Sequence, residues 1–482
     1  MLSGFSALEL PLLFCFSFFF TFTPHTMALN TQVTADHNAP AVTQILAQFV
    51  ATHPSKGWSD AVEHDAHRTF LNWLGCAVGA AHHESTQAAL AAVQMLEPAP
   101  QAVLAGLASR VDMASAALIN GISSHTFDFD DTHLKTIIHP AGPVASAAMA
   151  LAEHLGSSGR ELMDALVLGI DVSCRVGNCV YPQHYDRGWH ITGTTGMLGA
   201  AAACARLLKL DTHQTQMALG IAASQPVGLR EQFGTMTKPF HPGGAARAGL
   251  MSALLASKGF TASPKALEAP RGLIQVFSTK YDWSEIDRGL GQSFEISLNS
   301  FKPFACGIVI HPSIDACVQL RDKGVKPQDI ERLELRVHSL VLELTGKKEP
   351  QDGLQGKFSV YHGCCAGLIF GRAGEEEYAD EIVTREDLQT LRRKIVAIVD
   401  DSIDEASADV TAHLHSGESV HVRVEHAVGS LENPMTDALL EKKFHDLSDA
   451  VLGQAQTQEL IQACWSLGSS DLKALLKLCV PG

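Results

Sequence analysis

The side chains best suited to chemistry crowd into one stretch, SSHTFDFDDTHLKTIIHPAGP (residues 123–143), which holds three aspartates and three histidines between long runs of alanine and small aliphatic residues. Asp128, Asp130, Asp131, Thr132, His133 and His139 fall just past MASAALINGISSH and just before VASAAMALAEHL. Both flanks carry helical apolar spacing, which predicts a polar knot held where two helix ends meet, a rigid support of the kind a reactive site needs. The same residue types also cap helices and line solvated loops. Four further polar islands interrupt apolar patterns downstream: GWH at 188–190, MTKPFHPG at 236–243, FKPFACGIVIHPSIDA at 301–316 and GKFSVYHG at 356–363. Together they offer cations, carboxylates and proton donors. A small polyanion would be bound by a lysine and several histidines as charge-assisted donors, and imidazole is the side chain best able to pass a proton near neutral pH. Lys238 and His139 are the natural candidates. Taken singly, each has a plain structural use: His190 beside Trp189 as a core histidine, Lys238 before Pro239 as a loop residue, Lys302 and His311 as caps, Tyr361 as core on a predicted helix.

Rival chemistries lack their motifs. There is no HExxH and no paired CxxC to hold a metal. GWHITGTTG has glycines but no βαβ setting for a dinucleotide, and GxSxG is missing. The 482 residues carry a formal charge of −16, from 36 Lys and Arg against 52 Asp and Glu, which argues against a nucleic-acid partner. The 11 cysteines are scattered, as in a reducing compartment, and suggest neither disulfides nor zinc. Residues 5–23, FSALELPLLFCFSFFFTFT, approach the length of a membrane span, but Glu9 and Pro11 interrupt them and no Lys or Arg precedes them. Met27 opens an ordinary cytosolic start. The expectation is therefore a cytoplasmic protein with no membrane partner, residues 1–39 being a disordered extension or an over-called start.

The elements that must position the islands change texture along the chain. Residues 40–300 alternate Ala-, Gly- and Ser-rich amphipathic patterns with short breaks, which predicts a compact all-helical domain of closely approaching helices. Gly156 and Gly259 stand at predicted helix ends and Pro143 in a first turn. Residues 301–432 read as a smaller α+β domain: RLELRVHSLVLEL, RKIVAIVDD, SADVTAHLHSG and ESVHVRVEHAVG alternate in period two, with a hairpin turn at Gly417 and a helix at FSVYHGCCAGLIFG. Residues 433–482 return to amphipathic helices that rejoin the helical domain. The fold class is mainly α, a large helical domain plus an α+β lid.

In order and over nearly the whole chain from residue 40, the set DFDDTH and HPAGPV, GWHITGTTG, GTMTKPFHPGGAARAG, FKPFACGIVIHPSIDA and KFSVY resembles the MmgE/PrpD family. The resemblance implies a lyase or isomerase of small di- and tricarboxylates, with no cofactor and no metal, working as a homodimer with its site between the two domains. From the cis-aconitate decarboxylase branch it carries catalytic roles onto Asp128, Thr132, His139, His190, Lys238, His311 and Tyr361. Thr132 and His139 stand one residue further apart than in that branch, and KFSVY differs around the tyrosine. The GWH and TKP forms favour the decarboxylase and epimerase side over 2-methylcitrate dehydratase. Decarboxylation of cis-aconitate is the expectation; dehydration of 2-methylcitrate-type acids, epimerisation of an iminodisuccinate-type acid and a non-catalytic carboxylate-binding dimer are the alternatives. In the expected mechanism Lys238, His190 and backbone donors after Pro242 hold carboxylates, His139 moves the proton, Asp128 orients a histidine, and lid closure brings in His311 and Tyr361.

Overall fold

The computed structural model describes residues 39–54 and 57–482, so the expectation for the N-terminal extension lies outside the described residues. Six long helices build the larger part: α1 Asp60–Gly79, α2 Met113–Thr126, α3 Ala141–Leu155, α4 Gly159–Val180, α5 Ile191–Leu207 and α6 Thr237–Ser257. Capping side chains set several starts. Ser59 accepts from Val62 N–H, Asp112 accepts from Ala114 and Ser115 N–H, and Ser158 with Glu161 closes a reciprocal capping box. Gly156 ends α3 in the left-handed conformation, φ 65°.

Helix α6 packs on α5 and α2, and small residues permit the closeness. A Cβ on Gly121 would sit 2.6 Å from Gly243 Cα, and one on Gly249 would sit 2.5 Å from Ala200 Cβ. The burial of whole alanine-rich helices such as α5 follows from this, since backbones that touch leave no face for water.

The larger part is not all helical. A hairpin pairs Ala102–Leu104 with Leu107–Val111, turning at Gly106 (φ 77°), where any Cβ would meet that of Ala81 at 2.6 Å. A second ribbon pairs Thr132–His133 with Asn299–Ser300 and ties the first island to the chain leading into the fourth.

The second core is built on helices α7 His311–Asp322 and α8 Val360–Phe370 and a sheet of β1 Ile330–Val337, β2 Ile395–Val399, β3 Ala408–Leu414 and β4 Ser419–Val424, in the order β2-β1-β3-β4. Only the β1–β2 pair is parallel, and β3 turns into β4 at Gly417, φ 91°. The predicted strand RLELRVHSLVLEL stops at Val337, and SLVLELT is a helix. His338 explains the break: its ring accepts from Leu340 N–H and caps the new helix. A C-terminal helix, α9 Asp437–Leu452, packs on α1, with Phe444 seated on Gly75, and contributes to the first core.

Candidate active site

The polar islands arrive at helix N-termini. His139 lies two residues before α3, His190 is the N-cap of α5, and Lys238 is the second residue of α6. Asp128, His139, His190 and Lys238 line one cavity of about 30 Å³ together with Tyr185, Phe233, Lys302 and a wall from the second core: Gly307–Val309, Leu344, Thr345 and Phe358. Helix N-termini and two lysines make the surroundings favourable to an anion. The cavity is narrow, with room for about one or two water molecules at its centre.

Asp128 is the electrostatic hinge. Its Oδ1 lies 2.9 Å from Lys238 Nζ and 2.7 Å from Lys302 Nζ, and although burial pushes its pKa upward, these ammoniums hold it well below the usual carboxylate range. The residue sits in left-handed backbone, φ 51°, as does Ile137, φ 57°, on the cavity wall. Conformations that side-chain-bearing residues avoid persist only when their surroundings impose them. Burial lowers the Lys238 pKa while Asp128 opposes the fall.

The expectation that Asp128 orients a histidine is corrected: that acid is Asp130. His125 Nδ1 lies 2.7 Å from its Oδ2 and His139 Nδ1 3.4 Å from its Oδ1. His139 Nδ1 is also 2.8 Å from the Asp131 carbonyl oxygen, which can only accept. The proton is therefore on Nδ1, and Nε2 carries the lone pair when the ring is neutral. Thr132 Oγ1 stands 3.4 Å from the same Nδ1, on the far side of the ring from Nε2. His190 Nδ1 meets His241 Nδ1 at 2.8 Å, so one donates and the other accepts. Burial, Lys238 and His241 push His190 well below its usual pKa, and burial with Lys238 brings His241 to about 4, so both rings are neutral at pH 7. Burial likewise lowers His125 to about 4.

Not every candidate joins this group. His311 is buried, with its pKa brought by burial and Lys302 to about 3, and it lines a neighbouring cavity with Leu134, Pro312 and Val428. The two cavities share Ile137, Ile308 and Val309. Tyr361 is placed apart, lining a third cavity with Lys348, Gln351, Arg392 and Arg393, none of which lines the cavity of Lys238. Nor do donors follow Pro242: α6 begins at Thr237 and Pro242 lies inside it. What residue reasoning missed is the pairing of His125 with Asp130 and of His241 with His190. His125 and His241 each lie inside a quoted island, but a histidine's neighbour across a fold leaves no trace in local spacing.

Nitrogens of His125, His139 and His190 lie within 4.8 Å of one another, the donor type of a metal set, while the adjoining Lys238 ammonium works against a cation there. Among the described residues no helix is long and apolar enough to cross a membrane.

A helical part and a smaller sheet-bearing part meet around a cavity lined by buried lysines, histidines and an aspartate. Comparison with known proteins places the chain more closely. The MmgE/PrpD N-terminal domain model matches residues 44–286 and the MmgE/PrpD C-terminal domain model residues 304–467, so the chain belongs to the MmgE/PrpD family. It is similar to a cis-aconitate decarboxylase-like protein of Aspergillus oryzae, 26% identical over 88% of this chain and 94% of the relative. The cis-aconitate decarboxylase of Homo sapiens is 26% identical over 76% of this chain and 80% of its own length. A 2-methylcitrate dehydratase of Escherichia coli O157:H7 is 24% identical over 70% and 74%.

Proposed function

We propose that this chain is a cofactor-independent lyase of a small di- or tricarboxylic acid, and that decarboxylation of a cis-aconitate-type acid is its reaction. The observation that carries the reading is Lys238, a buried ammonium whose charged partner is an aspartate it shares with Lys302, facing a cavity that the imidazoles of His139 and His190 also line. A substrate carboxylate would take the donors Lys238 does not give to Asp128, assisted by the N-terminus of α5. Loss of CO₂ breaks a C–C bond and leaves its electron pair on carbon, where fixed positive charge stabilises it. His139, entering this step as the imidazolium, then delivers the proton from Nε2 to that carbon, is left neutral and regains a proton from solvent, its Nδ1–H anchored throughout on the Asp131 carbonyl and backed by Asp130. The parting and closing of the Gly307–Val309 and Phe358 wall would admit substrate and then exclude water.

Similarity to 2-methylcitrate dehydratases keeps a hydro-lyase as the second reading, because proton abstraction by neutral His139 Nε2 with loss of hydroxide uses the same groups. Following product and CO₂ by NMR separates the two: CO₂ release supports decarboxylation, and water loss without CO₂ supports dehydration. A homodimer is part of the proposal, and Leu229, Met236, Phe240 and Met251 are large apolar side chains exposed on and beside α6. Sedimentation at twice the chain mass supports it, and a monomer contradicts it. Cytoplasmic location belongs to the same proposal, and fractionation tests it.

A further inference from the structure

The turn that presents Asp128 is Phe127–Asp128–Phe129, and each of its three carbonyl oxygens is held by a different buried lysine. Lys357 Nζ donates to the Phe127 carbonyl at 2.9 Å, Lys302 Nζ to that of Asp128 at 2.9 Å, and Lys443 Nζ to that of Phe129 at 2.5 Å. The lysines come from three distant places: the start of the second core, the segment before α8, and α9. Each ammonium spends its three N–H groups inside the protein. Lys302 also bonds the Asp128 carboxylate and the Cys306 carbonyl; Lys357 bonds the Ala305 carbonyl and Glu375; Lys443 bonds Asn72 Oδ1 and the Lys302 carbonyl. The flanking rings join in, with Lys443 Nζ 3.9 Å from the Phe129 centroid and Lys357 Nζ 5.5 Å from that of Phe127.

Two of these lysines, Lys357 and Lys443, do not line the cavity. Burying an ammonium is costly unless all its donors are met, and three in succession on one turn is far more than a loop needs to stay closed. The turn they grip contains the left-handed Asp128, whose carboxylate must reach Lys238 and Lys302 at once. We propose that Lys357 and Lys443 are positioning residues: by clamping the carbonyls on either side of Asp128 they hold its strained backbone, and so fix the Asp128–Lys238 pair in the cavity. For its bearing on catalysis the inference rests on Lys238 as the carboxylate-binding group; the clamp itself does not require any substrate.

The test therefore reads Lys238 without ligand. The rate at which an amine-acylating reagent labels Lys238, followed by peptide mass spectrometry against pH, gives its apparent pKa. Asp128, Asp130, Lys302, His125, His190 and His241 are the titratable or charged groups that act on or respond to Lys238. Asp128 raises the Lys238 pKa, so losing their pairing lowers it, by about one unit or more, whereas merely deleting a nearby cation would raise it. Lys443→Met is expected to lower the Lys238 pKa as Asp128→Asn does, and to lower it no further when combined with Asp128→Asn. An unchanged or raised value, or full additivity in the double variant, overturns the proposal. Lys357→Met makes the same test should Lys443→Met not fold. A fall in melting temperature alone, with Lys238 unmoved, would mark the lysines as structural only and also overturns it. The KM of a citrate-type acid is measured in parallel: if no such acid is bound while the Lys238 shift is seen, the clamp stands and the proposed function falls.

Discussion

Lys238 differs from its neighbours Lys302, Lys357 and Lys443 in where its donors go. Theirs are consumed by carbonyls and carboxylates of the protein, while Lys238 pairs with Asp128 and faces the cavity. Lys238→Ala should therefore raise KM by at least about thirtyfold in steady-state assays, since it strips a buried charge partner from the substrate. His139→Ala should instead lower kcat by roughly 10²–10⁴-fold with a smaller change in KM; unchanged turnover would remove His139 from the mechanism. Asp131 gives a pH signature. Burial and the neighbouring Asp130 raise its pKa from 3.8 to about 7, so the folded state holds its proton more tightly than the unfolded chain. That preference is complete below the unfolded value and is lost as pH rises through about 7, so stability declines between those limits. Asp131→Asn keeps an oxygen for Ala141 N–H and Asn299 Nδ2–H. Denaturation series at pH 4.5 and 7.5 should show a smaller decline in this variant than in the wild type.

At the scale of elements, the site depends on α6 lying hard against α2. A Cβ on Gly243 would stand 2.3 Å from the Leu118 carbonyl oxygen, too close for either backbone to keep its place. Gly243→Ala should destabilise by about 1–3 kcal/mol and, by shifting α6, raise KM as well; thermal melts and kinetics on the same sample test both halves. The amphipathic and small-residue helices were legible because periodicity and composition report burial directly. The SLVLEL helix was not, because a cap made by one histidine outweighs alternating aliphatics over seven residues. At the site, Asp128, His139, His190 and Lys238 could be found because each sits in a polar island against an apolar background. The pairing of Asp130 with His125, and the placing of Tyr361 at another cavity, depend on tertiary packing and have no local signature.

At the scale of the whole molecule, the cavity lies where the first core meets residues 307–309, 344, 345 and 358, which is why its charged and imidazole groups come from four separated islands. Positive charge gathered there works against a chain whose formal charge is −16, concentrating attraction for a small anion at one point. The decisive measurement is turnover by metal-stripped protein, verified by elemental analysis, against cis-aconitate, 2-methylcitrate and related acids, with products followed by NMR. Conversion of at least one such acid, weakened through KM in Lys238→Ala and through kcat in His139→Ala, is the expected result. No conversion of any of them by folded protein, or conversion that appears only when a metal is restored, would contradict a cofactor-free lyase built on these residues.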